Sequence, residues 1–270
     1  MSLRVVAAAS VVGMVLITTV GCSGDGDQAA AEQAAETPVE VPVIEPVVVG
    51  QLPHDPAAFT QGLELDGPAL WEGTGLVGQS QVRELDPSTG EVRRSAADPP
   101  EYFGEGITVV GDRIWQLTWQ DGVAVEWDKA TLTPRREVPM DGEGWGLCLD
   151  TDRLIRSDGT DKLRFHDPNS FAETGSVNVT RDGQPVKNLN ELECVDGQVW
   201  ANVWMTNEIV RIDPDSGRVT AVLDASGLVN RQPLGPDQVL NGIAHVDGDY
   251  YLLTGKNWPT TYRVRIVVPE

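Results

Sequence analysis

The chain has 270 residues and sets 20 Lys and Arg against 41 Asp and Glu, a formal charge of −21. A surface that acidic repels phosphate backbones and no basic cluster offsets it, so no nucleic-acid partner is expected. Three histidines and three cysteines, none in an HxxxH or CxxC arrangement, argue against a zinc centre, while calcium held by oxygen ligands stays open.

Arg4 is the single charge ahead of the small and apolar residues from Val5 to Gly21, and Cys22 follows at once. A positive start, an apolar middle and small residues read as an export signal over residues 1–21. The ending Thr-Val-Gly-Cys resembles a bacterial lipoprotein signal, in which the cysteine is lipidated, although Thr19 stands where leucine is usual. A plain secretory peptide or a signal anchor is the alternative. The expected location is therefore the outer face of a cell membrane, held by lipid on Cys22, or free secretion. Residues 22–45 read as a flexible tether, because residues 23–45 carry six acids and no base and have few apolar groups to bury. Without the leader arginine and those six acids, residues 46–270 keep a charge of −16. Their length suits a single all-β domain.

Within that domain five segments share a pattern: TQGLELDG (60–67), GEGITVVGD (104–112), GWGLCLDTD (144–152), NELECVDG (190–197) and LNGIAHVDGD (240–249). Each ends in an Asp/Gly turn and is followed by a second apolar run. A third run alternates and breaks at turns such as DPSTG and DPDSG, and a fourth follows. Four strands per unit of about 45 residues is the signature of a β-propeller blade. The fifth unit has three strands before Glu270, and EPVVVGQLP (45–53) reads as the strand that completes it and closes the ring. The expected fold is a five-bladed β-propeller over 46–270, which gives no structural reason for a partner chain and suggests a monomer.

Aligning the repeats puts Gln61, Glu105, Trp145, Glu191 and Asn241 at one equivalent position, at the mouth of the axial channel. Cys148 and Cys194 are likewise equivalent, on neighbouring inner strands, where they are either bridged or buried as small hydrophobes. Eight tryptophans are present; core wedging accounts for about half. Trp145 sits at the mouth between glycines, and Trp119 and Trp204 close second strands near the same rim. Glu105, between two glycines in FGEG, is either an exposed acid at a strand entrance or a carboxyl in a dry aromatic mouth. In the second case desolvation lifts its pKa toward the working range of a proton shuttle.

The phrases FTQG, FGEG, LTW, EGWGL, LNELE, NVW and TGKNWP, in this order from about Gly50 to Arg263, resemble the glutamine cyclotransferase family, the plant-type glutaminyl-peptide cyclotransferases and their bacterial relatives. The resemblance implies a five-bladed propeller that cyclises N-terminal glutamine of peptides or proteins to pyroglutamate and releases ammonia, with no metal and no cofactor. It implies Glu105 as the proton-transferring acid, and Phe59, Gln61 and Phe103 around the substrate. Trp119, Trp145 and Trp204 become the aromatic pocket, with Asn190 and Lys256 as further polar groups. Gln61, Asn190 and Lys256 are then the candidate donors to a tetrahedral oxyanion. Two rivals remain: a non-catalytic lipoprotein that binds peptides or sugars at the same mouth, and a calcium-dependent lactonase. Trp145 and Lys256 at the rim disfavour a divalent cation, and a pure binder has no use for a proton shuttle.

Overall fold

The structure is a computed structural model and describes residues 40–231 and 234–269. The expected leader, the lipidation site Cys22 and the tether up to residue 39 lie outside the described residues. Alternating apolar and polar residues give strands throughout; among the described residues the one helix is the single turn Ser226–Val229.

The fold is all-β and propeller-like. Four sheets hold four strands each and one holds seven. The first runs from Thr60–Asp66 to Val92–Ala97, the second from Gly104–Val110 to Thr133–Pro139, and the third from Leu147–Asp150 to Glu173–Asn178. The seven-stranded sheet contains Leu189–Val195 through Arg218–Asp224. In the remaining sheet Leu240–Asp247, Tyr250–Gly255 and Thr260–Arg265 are joined at the outer edge by Val47–Pro53, so the start of the domain pairs with its end. The first strand of every sheet lies against that of the next, and Leu240–Asp247 returns to Thr60–Asp66.

Hydrophobic clusters fill the gaps between neighbouring sheets. Trp71, Ile107 and Trp127 pack between the first and second, and Trp115, Leu147 and Leu154 between the second and third. Trp200, Ile209, Leu253 and Trp258 do the same between the fourth and fifth. Such wedges remove large apolar areas from water and hold flat sheets face to face. At the outer turns, Asp86, Asp128, Asp167 and Asp213 each accept backbone N–H groups two or three residues on, the Asx chemistry that fixes these corners.

Two expectations change. The fourth sheet exceeds four strands: the hairpin of Thr180–Arg181 and Gln184–Pro185 and the short strand Val43–Ile44 both pair with Arg218–Asp224. The added strands cover an edge that would otherwise expose a row of unpaired backbone groups. The folded region also begins earlier than residue 46. Val43 and Ile44 pair in register with Val222 and Leu223, and Val41 packs on the same side of the core, because the apolar run of the domain starts before Glu45. Cys148 and Cys194, on the first strands of the third and fourth sheets, are disulfide-bonded with Cα atoms 5.5 Å apart.

Candidate active site

The five first strands approach one another backbone to backbone, and glycine permits it. A Cβ on Gly106 would lie 2.6 Å from the Trp145 carbonyl oxygen, and instead the Gly106 N–H donates to that oxygen at 2.8 Å. A Cβ on Gly146 would collide with the Asn190 carbonyl. The glycines flanking the mouth residues therefore set the width of the opening.

At that mouth the strands are bulged, with register breaks at Thr60/Gly62, Gly104/Ile107, Leu189/Leu192 and Leu240/Ile243. A bulge re-aims side chains and breaks strict alternation. The repeat alignment fails here in part. Gln61, Glu105 and Trp145 face the opening, but in the fourth sheet Asn190 does so, and Glu191 turns into the axis. The Glu191 carboxylate accepts the N–H groups of Leu63 (3.2 Å) and Ile243 (2.9 Å), tying three sheets together. Asn241 is buried and does not line the opening; its Nδ2 donates to the Thr60 carbonyl (2.9 Å) and to Gln61 Oε1 (3.2 Å).

The result is one cavity of about 240 Å³ lined by Phe59, Gln61, Phe103, Glu105, Trp119, Trp145, Asn190, Trp204 and Lys256. The nine residues that the family resemblance implies as catalytic or pocket groups meet there, whereas Glu191 and Asn241, placed at the mouth by the repeat alignment, do not line it. The other five tryptophans are buried in the core. Trp119 and Trp204 stand at the rim, 38% and 36% exposed, so the aromatic surface continues outward from the cavity.

Glu105 is buried, and Gln61 Nε2 donates to its Oε1 at 2.9 Å. Burial pushes its pKa well above the usual carboxylate range; the Lys256 charge opposes this and the Glu143 charge adds to it. Lys256 is buried too, with Nζ 4.8 Å from the Phe59 ring centroid, and desolvation lowers its pKa against the pull of Glu105. Each group weakens the other's cost of ionisation, but neither is paired closely enough to remove it. Asn190 Oδ1 is buried without a protein partner, which leaves an acceptor at the cavity wall.

Glu143 is the residue that sequence reasoning passed over, although it lies inside the phrase EGWGL. Its Oε2 accepts the indole N–H of both Trp119 and Trp145 at 2.9 Å, and its Oε1 accepts Gln120 Nε2 at 2.7 Å. Partial burial pushes this carboxyl up, but the three donors outweigh burial and hold it below its ordinary pKa. Among the described residues no three His, Cys, Asp or Glu side chains converge in a metal-binding arrangement.

Comparison with known proteins identifies the family and agrees with the fold. The sequence model of the glutamine cyclotransferase family matches residues 19–266. A glutaminyl-peptide cyclotransferase of Arabidopsis thaliana is 39% identical over 226 residues, covering 81% of this chain and 70% of that protein. The crystal structure of Myxococcus xanthus glutaminyl cyclase superposes with a TM-score of 0.80 at 37% identity, covering 86% of this chain and all of that one. The chain belongs to the glutamine cyclotransferase family.

Proposed function

We propose that this protein cyclises the N-terminal glutamine of peptides and proteins to pyroglutamate with release of ammonia, and that Glu105 moves the protons. The observation that carries the reading is a buried carboxyl of raised pKa at the floor of an aromatic cavity, with Gln61 hydrogen-bonded to it and Lys256 nearby. Family membership supports the reaction; the division of roles rests on chemistry.

Cyclisation needs the substrate α-amine to reach its own γ-carbonyl carbon. A cavity walled by Phe59, Trp145 and Trp204 favours the folded substrate over its extended forms, which lowers the entropic part of the barrier. The amine nitrogen bonds to the γ-carbon, and the carbonyl oxygen takes up negative charge. Glu105 passes a proton to the departing nitrogen and receives one from the attacking nitrogen, so no net proton is consumed. The C–N bond to the former side-chain amide then breaks and ammonia leaves. A carboxyl whose pKa is raised well above the ordinary carboxylate range is suited to both halves of this transfer.

Lys256, Asn190 and the second N–H of Gln61 are donors within the same cavity for the oxyanion. Such a donor typically lowers the barrier by about 3 kcal/mol. With these donors and Glu105 the sequence of steps balances without a metal or cofactor. Asn241, holding Gln61 Oε1, fixes which way the Gln61 amide points.

The five sheets are read as five blades of a closed propeller acting as a monomer. The leader is read as an export signal with lipid attachment at Cys22, placing the domain at the outer face of a membrane. The Cys148–Cys194 disulfide fits such an oxidising compartment. The test of function is ammonia release from a glutaminyl dipeptide by the protein lacking residues 1–22, with chelator present. Stoichiometric ammonia and pyroglutamyl product are expected. Binding without turnover would instead favour a peptide-binding propeller, and loss of turnover in chelator would require a metal.

A further inference from the structure

The aromatic lining of the cavity falls into two arcs. In one, Phe59 meets Phe103 edge-on (centroids 6.1 Å apart) and Phe103 meets Trp119 (5.6 Å). In the other, Trp145 meets Trp204 at 5.5 Å and 87°. Lys256, over the Phe59 ring, flanks the first arc. Between the arcs, the Trp119 and Trp145 rings are joined through a carboxylate, Glu143, which accepts both indole N–H groups on one oxygen.

Glu143 does not line the cavity, yet it is held firmly. The buried Arg156 donates to the carbonyls of Glu143 and Asp141, fixing the main chain from beneath. The Gly144 N–H donates to the Thr118 and Trp119 carbonyls at 3.1 Å, lacing the loops of the second and third sheets together. Behind Trp145, Gly159 leaves the space the indole occupies, since a Cβ there would be 2.6 Å from Cζ2. Main chain, side chain and backing residue converge on one placement for Trp145, and main chain and side chain on one for Trp119.

We propose that Glu143 is a positioning residue that fastens the two aromatic arcs into one pocket wall and so sets the gap into which the substrate side chain folds. Hydrogen bonds to a charged acceptor are stronger than neutral ones, so this clasp outlasts an ordinary rim contact. Its charge has a second consequence. Glu143 faces Asp158 and Glu105, and Glu105 faces Lys256 as well; the Glu143 charge helps Glu105 to keep its proton while Lys256 works against it.

The kinetic arm of the test rests on the cyclase reading; a spectroscopic arm does not. Glu143→Ala removes clasp and charge, whereas Glu143→Gln keeps an oxygen acceptor and removes the charge alone. Glu143→Ala is expected to raise KM for a glutaminyl dipeptide about tenfold, the scale of one lost charge-assisted hydrogen bond. Glu143→Gln is expected to keep KM within about threefold and to move the limb of the pH–rate profile that reports Glu105 to lower pH. Near-ultraviolet circular dichroism of the substrate-free proteins reports the packing of the indoles, those that Glu143 holds among them: the spectrum should change in Glu143→Ala and persist in Glu143→Gln. A wild-type KM in the alanine variant, or equal KM losses in both variants, overturns the proposal. Should the wild type release no ammonia, the cyclase reading falls, and the dichroism comparison alone decides the role of Glu143.

Discussion

Two buried glutamates in neighbouring parts of the first two sheets have opposite surroundings. Glu72 is saturated: its Oε1 accepts His54 Nε2 (2.9 Å) and Thr60 Oγ1 (2.7 Å), and its Oε2 accepts Arg83 Nε (3.0 Å) and Nη2 (2.5 Å). Burial pushes it up, but His54 and Arg83 prevail, and its pKa falls to about 2. Glu105 has one neutral donor, Gln61, and a cation that is not in direct contact, and its pKa moves far the other way. The same side chain is a charged strut in one place and a carboxyl with a raised pKa in the other, which is the state the proposed proton transfer needs. What separates them is whether the charge is met at contact distance.

That contrast can be broken by mutation. Arg83→Met leaves Glu72 buried with His54 but without its arginine, and breaking a buried pair costs about 3–5 kcal/mol. The expected result is a much lower melting temperature with KM and kcat of the surviving folded protein unchanged. Glu105→Gln should do the reverse, lowering cyclisation about a thousandfold, within the range general acid–base groups contribute, with no loss of fold. A stable Arg83→Met protein would show that the two acids are not so different after all.

The pH dependence of stability sharpens the comparison, because the signs oppose. Glu72 has a folded pKa below its unfolded one, so its contribution is present above about 4.5 and lost as pH falls toward about 2. His54 is desolvated, but contact with Glu72 and the Trp258 carbonyl raises its pKa on balance. Its contribution is therefore complete below 6.5 and lost as pH rises through the raised value. Glu105 favours the protonated form in the fold, so wild-type stability declines as pH climbs above 4.5. Denaturant melts at pH 8 should find Glu105→Gln more stable than wild type, the mark of a group kept for activity at the expense of stability. The smallest effect expected is in Trp145→Ala, about a tenfold rise in KM with kcat altered less, as one pocket wall is lost.

Much of this was legible in the sequence, and the exceptions have physical causes. The repeat of Asp/Gly turns and alternating runs gives away the sheets and the closure by Val47–Pro53, because each unit solves the same packing problem. FGEG and GWG mark the mouth, because close backbone approach needs glycine on either side of the functional residue. The alignment put Glu191 at the mouth where Asn190 stands, since a bulge at Leu189/Leu192 turns Asn190 into the cavity and Glu191 away from it without altering composition. It could not assign Glu143, whose role depends on two indoles that are 26 residues apart in sequence and brought together by different sheets. The edge strands on the fourth sheet were hidden for another reason. Val43–Ile44 has too few residues to show a period, and its partner strand is far away in the chain.

The claim at the centre of this account is that burial in the cavity raises the Glu105 pKa well above the ordinary carboxylate range. Infrared difference spectroscopy of wild type against Glu105→Gln tests it directly. The account predicts a protonated carboxyl band, missing from the variant, that persists in the wild type to pH well above 4.5. If the band removed by the substitution is instead that of an ionised carboxylate, Glu105 is an ordinary acid and the proposed proton transfer is contradicted.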